Sequence, residues 1–186
     1  MSKKFFALVA ASALAVTSLL SGCGAGNTTP DADVKETQAK VIKMGTNAAF
    51  PPYEFKEGDE FKGIDVEIAD AIAKELGMEL EIVDMEFDSI ITSVQKGEVD
   101  FGMAGMTVTD ERKEEVDFTS SYATGVQVIV VPEGSDIATL DDLEGKKIGT
   151  QLGTTGDIYS KDDFGEENVV SYSKGADAII ALKGGD

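Results

Sequence analysis

Residues 99–112 read Val-Asp-Phe-Gly-Met-Ala-Gly-Met-Thr-Val-Thr-Asp-Glu-Arg, and this stretch decides the fold class. Its first six residues, as far as Ala104, form a short and mostly apolar run that predicts a strand. Thr109 stands where a helix N-cap is expected, so we predict a brief helix that carries Arg112. A strand that leads through a turn into a helix is the repeating unit of a parallel α/β sheet.

The chain before residue 99 alternates in the same way between strand and helix patterns. The predicted elements are a strand over 41–46, a hairpin over 53–64, a helix over 65–76, a strand over 79–85 and a helix over 88–96. Asp65 and Asp88 stand where the N-caps of these two helices are expected. Gly77 and Gly97 stand at their expected C-terminal ends.

A β-branched run predicts a long strand over 123–131, and the turn residues at 132–135 then mark a boundary. Beyond it the predicted elements are a helical turn over 140–143, a strand over 147–150, a helix from the turn at 153–156 to about residue 164, a strand over 168–171 and a helix over 175–183. We therefore predict an α/β protein with a first lobe over 41–131 and a partial second lobe over 132–186. Another strand is expected after residue 186.

The first forty residues predict an export signal and a tether. Two lysines precede an apolar stretch over 5–20, which is typical of a signal peptide over 1–22. The Leu-Ser-Gly before Cys23 resembles the lipobox of bacterial lipoproteins, which implies cleavage before this cysteine and lipidation of its sulfur. An ordinary signal peptide with an incidental cysteine is the alternative. Residues 23–40 are interpreted as the lipidated cysteine and a flexible tether.

The composition argues against several classes of function. The chain carries 16 Lys and Arg against 35 Asp and Glu, and this acidic balance predicts no binding to nucleic acid. It has no histidine and one cysteine, which excludes His-based nucleophile activation, His-ligated metal sites and an intrachain disulfide. We predict no cofactor and no metal. An enzyme that uses a perturbed Glu or Lys stays open.

Arg112 is the only arginine in the chain. Its planar guanidinium can grip a carboxylate with two parallel hydrogen bonds, which a lysine cannot do. It follows a predicted strand, and ligands of open α/β sheets bind beyond the carboxyl ends of strands. Without further context, a solvated arginine on an acidic surface is the competing interpretation.

Four motifs occur in order along the chain: Met44-Gly45-Thr46-Asn47-Ala48-Ala49-Phe50-Pro51-Pro52-Tyr53-Glu54-Phe55, Gly63-Ile64-Asp65-Val66, Ala104-Gly105-Met106-Thr107-Val108-Thr109-Asp110-Glu111-Arg112 and Val116-Asp117-Phe118-Thr119. Together they resemble the polar-amino-acid family of bacterial extracellular solute-binding proteins, over the chain from Val41 to its end. The resemblance implies the two-lobed periplasmic-binding-protein fold, in which two α/β lobes joined by a strand hinge close on an amino acid. We expect the second lobe to be incomplete in this sequence.

The resemblance implies roles for four residues around the ligand's charged groups. The Gly105 carbonyl and the Thr107 hydroxyl would accept hydrogen bonds from its α-ammonium. The Thr107 amide and Arg112 would hold its α-carboxylate. Thr155, in the turn that opens a second-lobe helix, would add donors to that carboxylate, because free amides and the helix dipole favour an anion there.

Four more residues match positions around the ligand's side chain. Phe50 and Phe87 would sandwich it, and core packing is the alternative for both rings. Asn47 and Gln151 would read its polar end. Many relatives carry Asp at the position of Asn47, where it can pair with a cationic side chain; a neutral amide argues against strict specificity for Lys or Arg.

One implied contact is missing. Family members place an Asp of the second lobe against the α-ammonium, and Asp186 lies several positions too early for that role. We therefore interpret the sequence as a fragment. Tyr53 and Glu54 belong to the family motif and are interpreted as structural.

The resemblance predicts the lipid-anchored substrate-binding protein of an amino-acid ABC importer. Its expected partners are a free polar amino acid, the permease subunits and the membrane through the lipid anchor, and we expect a monomer. Its expected location is the outer face of the bacterial cytoplasmic membrane, in the periplasm or at the cell surface. A fold-related enzyme of the dehydratase or cell-wall lyase type and the ligand-sensing domain of a receptor are the alternatives.

Overall fold

The computed structural model describes residues 40–185. The predicted signal peptide, Cys23, nearly all of the predicted tether and Asp186 lie outside the described residues. No helix within 40–185 is both long and apolar enough to cross a membrane.

The described chain alternates between strands and helices, as the sequence predicts. The strands are β1 (Lys40–Thr46), β2 (Ala49–Phe50), β3 (Glu54–Glu57), β4 (Glu60–Lys62), β5 (Met78–Asp84), β6 (Phe101–Gly102), β7 (Ile148–Gln151) and β8 (Val169–Tyr172). The helices are α1 (Ile64–Glu75), α2 (Ile90–Gln95), α3 (Asp110–Glu115), α4 (Thr155–Phe164) and α5 (Gly175–Gly184). Short 3-10 segments cover Phe87–Ser89, Leu140–Leu143 and Glu166–Asn168.

The first lobe is built on a parallel three-stranded sheet in the order β5-β1-β6. Strands β2, β3 and β4 form a separate antiparallel sheet, which contains the predicted hairpin. Met44 on the central strand is fully buried, and Ala69 of α1 and Ile90 of α2 are buried with it. These apolar side chains form the core from which the carboxyl ends of β1 and β6 emerge.

The second lobe contains the parallel pair β7 and β8 together with α4 and α5. Strand β7 leads into the Gly153 turn and then into α4, which repeats the strand–turn–helix unit of the first lobe. The prediction of an α/β protein with two parallel-sheet lobes is therefore confirmed.

The strand predicted over 123–131 is wrong, because these residues pair with no strand among those described. Val126 is 81% exposed and Val128 67%, so neither side chain is covered by a second layer. A β-branched run favours an extended conformation, but a strand also needs a partner for its backbone N–H and C=O groups.

Two of the three predicted N-caps are wrong. Gly63 precedes α1 as the N-cap, and Ser89 precedes α2, so neither Asp65 nor Asp88 caps its helix. The predicted cap Thr109 is confirmed, because its hydroxyl accepts a hydrogen bond from the Arg112 amide at 3.2 Å.

Candidate functional site

Arg112 lies where the two lobes meet. The Thr109 cap starts α3 and fixes the backbone of Arg112, which leaves the guanidinium on the side of the second lobe. Its Nη1 donates to the Thr107 carbonyl at 2.6 Å, and its Nη2 donates to the Gly153 carbonyl of the second lobe at 2.9 Å. The guanidinium also lies over the Phe87 ring, 5.5 Å from its centroid. The residue is 8% exposed, so the solvated-arginine interpretation is wrong.

Arg112 forms no ion pair in the part of the chain that the structure describes. None of the ion pairs within residues 40–185 includes this arginine. Burial lowers the pKa of its guanidinium, and Tyr159 raises it in part, but an arginine stays charged in proteins. Two carbonyls use two of its five N–H donors. A buried cation with donors to spare and no carboxylate partner is suited to receive an anion.

Gly105 and Phe50 face each other in the first lobe. Gly105 has a φ of +55°, and a Cβ at this position would lie 3.2 Å from the Phe50 ring. Phe50 is 49% exposed, which excludes the core-packing alternative for this ring. Its ring stacks on Tyr53 with the centroids 5.5 Å apart. An open aromatic face therefore lies beside the turn that leads from β6 to α3.

Asn47 and Gln151 form a second link between the lobes. The Gln151 side-chain amide donates to the Asn47 carboxamide oxygen at 2.9 Å, and Asn47 in turn donates to the Met85 carbonyl at 2.7 Å. Asn47 is buried and its partner half-buried. The pair is uncharged, so these two amides offer hydrogen bonds to a ligand but no counter-charge. We call the region bounded by Arg112, Phe50 and this amide pair the interlobe cleft.

Thr107 and Thr155 lie on opposite lobes. Thr107 is exposed in the turn between β6 and α3, and its carbonyl already accepts from Arg112. Thr155 is the first residue of α4, and the preceding Thr154 is the N-cap, whose hydroxyl accepts from the Asp157 amide at 3.2 Å. The structure thus joins Arg112 with Phe87 and Thr107, Phe50 with Gly105, and Asn47 with Gln151. It gives no hydrogen bond between the side chain of Thr155 and the other predicted residues within 40–185.

Sequence reasoning missed a buried carboxyl pair behind the Gly105 turn. Asp65 is 0% exposed and accepts from the Gly105 amide at 2.9 Å and from the Tyr122 hydroxyl at 3.0 Å. Glu54 is buried against it. Burial, the charge of Asp65 and a hydrogen bond between the two carboxyl groups raise the pKa of Glu54 to about 9. Glu54 is therefore protonated at neutral pH, which allows it to donate to Asp65. Glu54 Oε2 and Asp65 Oδ1 are both buried and have no other hydrogen-bond partner within residues 40–185.

A signal for this buried acid exists in the sequence. Asp65 shares the spacing of Ala69 and Ala73, which are both buried on the same side of α1. Residues four apart lie on one helix face, so an acid in register with two buried alanines points into the protein.

A second buried acid, Asp157, lies behind the Gly153 turn. One carboxylate oxygen accepts from the hydroxyls of Thr150 and Ser171, both at 2.6 Å. The other accepts from the Gly153 amide at 3.1 Å and from the Lys161 ammonium at 2.8 Å. Burial alone would raise the pKa of this carboxyl, but these four hydrogen bonds lower it to about 2.

The known proteins that are similar to this chain agree with one another in family. The family described as bacterial extracellular solute-binding proteins, family 3, matches residues 42–182. The chain is 44% identical over 154 residues to the arginine-binding extracellular protein ArtP of Bacillus subtilis strain 168, covering 83% of this chain and 57% of ArtP. This chain therefore spans less than two thirds of that relative's length.

Solved structures of similar fold include an ancestral arginine-binding protein bound to glutamine, with 42% identity and a TM-score of 0.73, covering 78% of this chain and 65% of that one. They also include the ancestral amino acid-binding protein AncCDT-1, a precursor of cyclohexadienyl dehydratase. It shows 35% identity and a TM-score of 0.73, covering 78% of this chain and 66% of that one.

Proposed function

Because this chain belongs to the bacterial extracellular solute-binding proteins of family 3, we propose that it captures a polar amino acid in the interlobe cleft and delivers it to the permease of an ABC importer. The single observation that carries the proposal is Arg112, a buried guanidinium that bonds both lobes and has no acidic partner within residues 40–185. An amino acid's α-carboxylate would supply that missing anion, with donors from the Thr107 amide and from the start of α4 at Thr155.

The remaining cleft residues suit the other groups of an amino acid. The Gly105 carbonyl and the Thr107 hydroxyl would accept from the α-ammonium. Phe50 and Phe87 would enclose the side chain, since one ring is half-exposed and the other lies against Arg112. Asn47 and Gln151 would bind a polar end, and the neutral pair favours an uncharged side chain over a cationic one.

A ligand that touches both lobes would favour the closed arrangement. Its carboxylate would bond the first-lobe Arg112 and the second-lobe α4, so separating the lobes would break bonds in either lobe. Binding energy of this kind shifts the population of the protein towards the closed conformation. The closed conformation is the form that a permease would receive.

We propose a binding role rather than catalysis. The chain has no histidine, and ArtP and AncCDT-1 are both described as binding proteins. AncCDT-1 is also described as a precursor of a dehydratase, which keeps an enzyme as the second candidate. Incubation with amino acids and with prephenate-like acids separates the two, because product formation would contradict a pure binding role.

The N-terminal proposals concern residues outside the described part of the chain. Residues 1–22 would be a signal peptide, and lipidated Cys23 with the residues up to the start of β1 at Lys40 would tether the lobes to the outer face of the cytoplasmic membrane. Mass spectrometry of the protein purified from bacterial membranes tests this, since a mature chain that begins with an acylated cysteine is expected. An unmodified Cys23 would contradict the anchor.

The test of binding is a thermal-shift screen of the full chain against the twenty proteinogenic amino acids. A ligand that binds only the folded state raises the melting temperature. We expect polar, uncharged amino acids to give the largest increases, and calorimetry then gives their dissociation constants. No shift and no heat with any of the twenty would contradict the proposed function.

A further inference from the structure

Each lobe presents a turn to the cleft that contains a glycine in the left-handed region. Gly105 in the first lobe has a φ of +55°, and Gly153 in the second has a φ of +74°. A Cβ on Gly105 would approach the Phe50 ring to 3.2 Å, and one on Gly153 would approach the Asp88 Cβ to 2.9 Å. Both turns therefore need glycine for their conformation and for the close approach of a neighbour.

Both glycines are held from behind by a buried aspartate. The Gly105 amide donates to Asp65 at 2.9 Å, and the Gly153 amide donates to Asp157 at 3.1 Å. Asp65 is fully buried and Asp157 is 2% exposed, so neither carboxylate can reach a ligand in the cleft. Each one lies in the first turn of a helix, α1 or α4, but bonds a loop instead of serving as the N-cap.

The carbonyl of the second-lobe turn faces the first lobe, and the first-lobe turn has the same arrangement of glycine amide and buried aspartate. The Gly153 carbonyl accepts from Arg112, and the Gly105 carbonyl is the proposed acceptor for the α-ammonium. Each glycine thus donates its amide to a buried carboxylate, while its carbonyl is left to accept a hydrogen bond in the cleft. A turn fixed in this way presents its carbonyl without further ordering when an amino acid arrives, which lowers the cost of binding.

We propose that Asp65 and Asp157 are the positioning residues of the two binding turns, one in each lobe, acting through the amides of Gly105 and Gly153. This inference rests on the proposed function, because the turns matter only if an amino acid binds between them. It assigns to the two acids a role in affinity besides their role in stability.

The surroundings of each aspartate allow a rescue experiment. In Asp157→Asn the amide oxygen can still accept from Gly153, because the new NH2 group can face the hydroxyls of Thr150 and Ser171, which also accept hydrogen bonds. In Asp65→Asn the NH2 group can face Glu54, whose carboxyl group would then accept a hydrogen bond instead of donating one. Alanine at either position removes the acceptor altogether.

The matched controls remove a different bond to the same carboxylate. Thr150→Val deletes a hydroxyl from Asp157, and Tyr122→Phe deletes one from Asp65, while both leave the glycine bond in place. These variants report what a loss of stability alone does to binding.

The experiment measures dissociation constants by calorimetry on the full chain, with whichever of the twenty amino acids binds the wild type most tightly. We expect Asp65→Ala and Asp157→Ala to weaken binding about tenfold or more, as for loss of a hydrogen bond to a charged group. The two asparagine variants and the two controls should stay within about threefold of wild type. Alanine variants that bind like wild type, or controls that lose as much as the alanine variants, would overturn the inference.

Amide hydrogen exchange in the wild-type chain tests the same bonds without a variant that could fail to fold. Slow exchange at Gly105 and Gly153 is expected, and fast exchange at both would overturn the inference. Failure of the proposed function is recognised separately, because the wild-type chain would then bind none of the twenty amino acids.

Discussion

Replacing Arg112 with alanine is expected to weaken amino-acid binding by about 2–5 kcal/mol, the usual loss when one partner of a buried charged pair is removed. At about 1.4 kcal/mol per factor of ten, this is a loss of roughly 30-fold to several thousand-fold in affinity. The structure supports a value in this range, because Arg112 is 8% exposed and its removal would leave the ligand's carboxylate without a cation.

The unliganded protein should respond differently. Arg112 bonds two carbonyls but has no acidic partner within residues 40–185, so its removal also relieves the cost of burying a lone cation. We therefore expect the free variant to keep a melting temperature close to that of the wild type. The variant would then lose affinity without losing stability, which is the behaviour expected of a residue that binds the ligand.

Titration calorimetry measures the effect, with two comparisons that identify the carboxylate as the partner. Lys113→Ala removes the neighbouring cation of the same helix, which is exposed and paired with Asp110, and should leave the dissociation constant unchanged. Arg112→Lys should lose part of the affinity, because an ammonium cannot replace the planar fork.

A ligand analogue completes the cycle. The amide of the bound amino acid lacks the α-carboxylate, so it should bind the wild type weakly and should bind wild type and Arg112→Ala almost equally. An unchanged dissociation constant in Arg112→Ala, or an equal loss for the amino acid and its amide, would refute this reasoning.

Asn47→Asp is expected to shift preference towards cationic amino acids by about tenfold or more, because it places a carboxylate among the neutral amides of the cleft. Calorimetry with L-arginine and L-glutamine measures the ratio of their dissociation constants. An unchanged ratio would show that Asn47 does not determine specificity. Glu54→Gln tests the carboxyl pair through pH. The folded-state pKa of Glu54 is raised from 4.5 to about 9, so its stabilising effect is complete below pH 4.5 and is lost as the pH rises towards 9. The glutamine variant should therefore gain stability relative to wild type between pH 5 and pH 9 in denaturant titrations, and a difference independent of pH would contradict the shared proton. Gly63→Ala should destabilise the first lobe by about 3 kcal/mol or more, because the φ of Gly63 is +122° and a Cβ would lie 2.1 Å from the Tyr53 carbonyl oxygen. A melting temperature equal to that of wild type would contradict this, because it would show that the backbone can move to accommodate the Cβ.

Much of the fold follows from local sequence pattern. The strands β1, β5, β7 and β8 and the helices α1, α4 and α5 lie within a residue or two of the predicted spans, because their apolar periodicity is set within a few turns of chain. The Thr109 cap is equally local, since a hydroxyl and an amide three residues apart decide it. For the same reason the motifs between Met44 and Thr119 were enough to indicate the family.

Other features depend on segments that are distant in sequence. Asp65 has the position of a cap by local rules, but the carboxylate bonds the amide of Gly105, forty residues away. The run at 123–131 has the composition of a strand, yet a strand exists only where another backbone offers hydrogen bonds.

The sequence by itself determined the alternation of strands and helices, the family and the identity of the lone arginine. Only the tertiary structure decided that this arginine lies buried between the lobes and that two aspartates hold the turns on either side of it. The reason is physical: periodicity and capping act over a few residues, whereas the partner of a buried charge is whichever group the fold brings within about 3 Å.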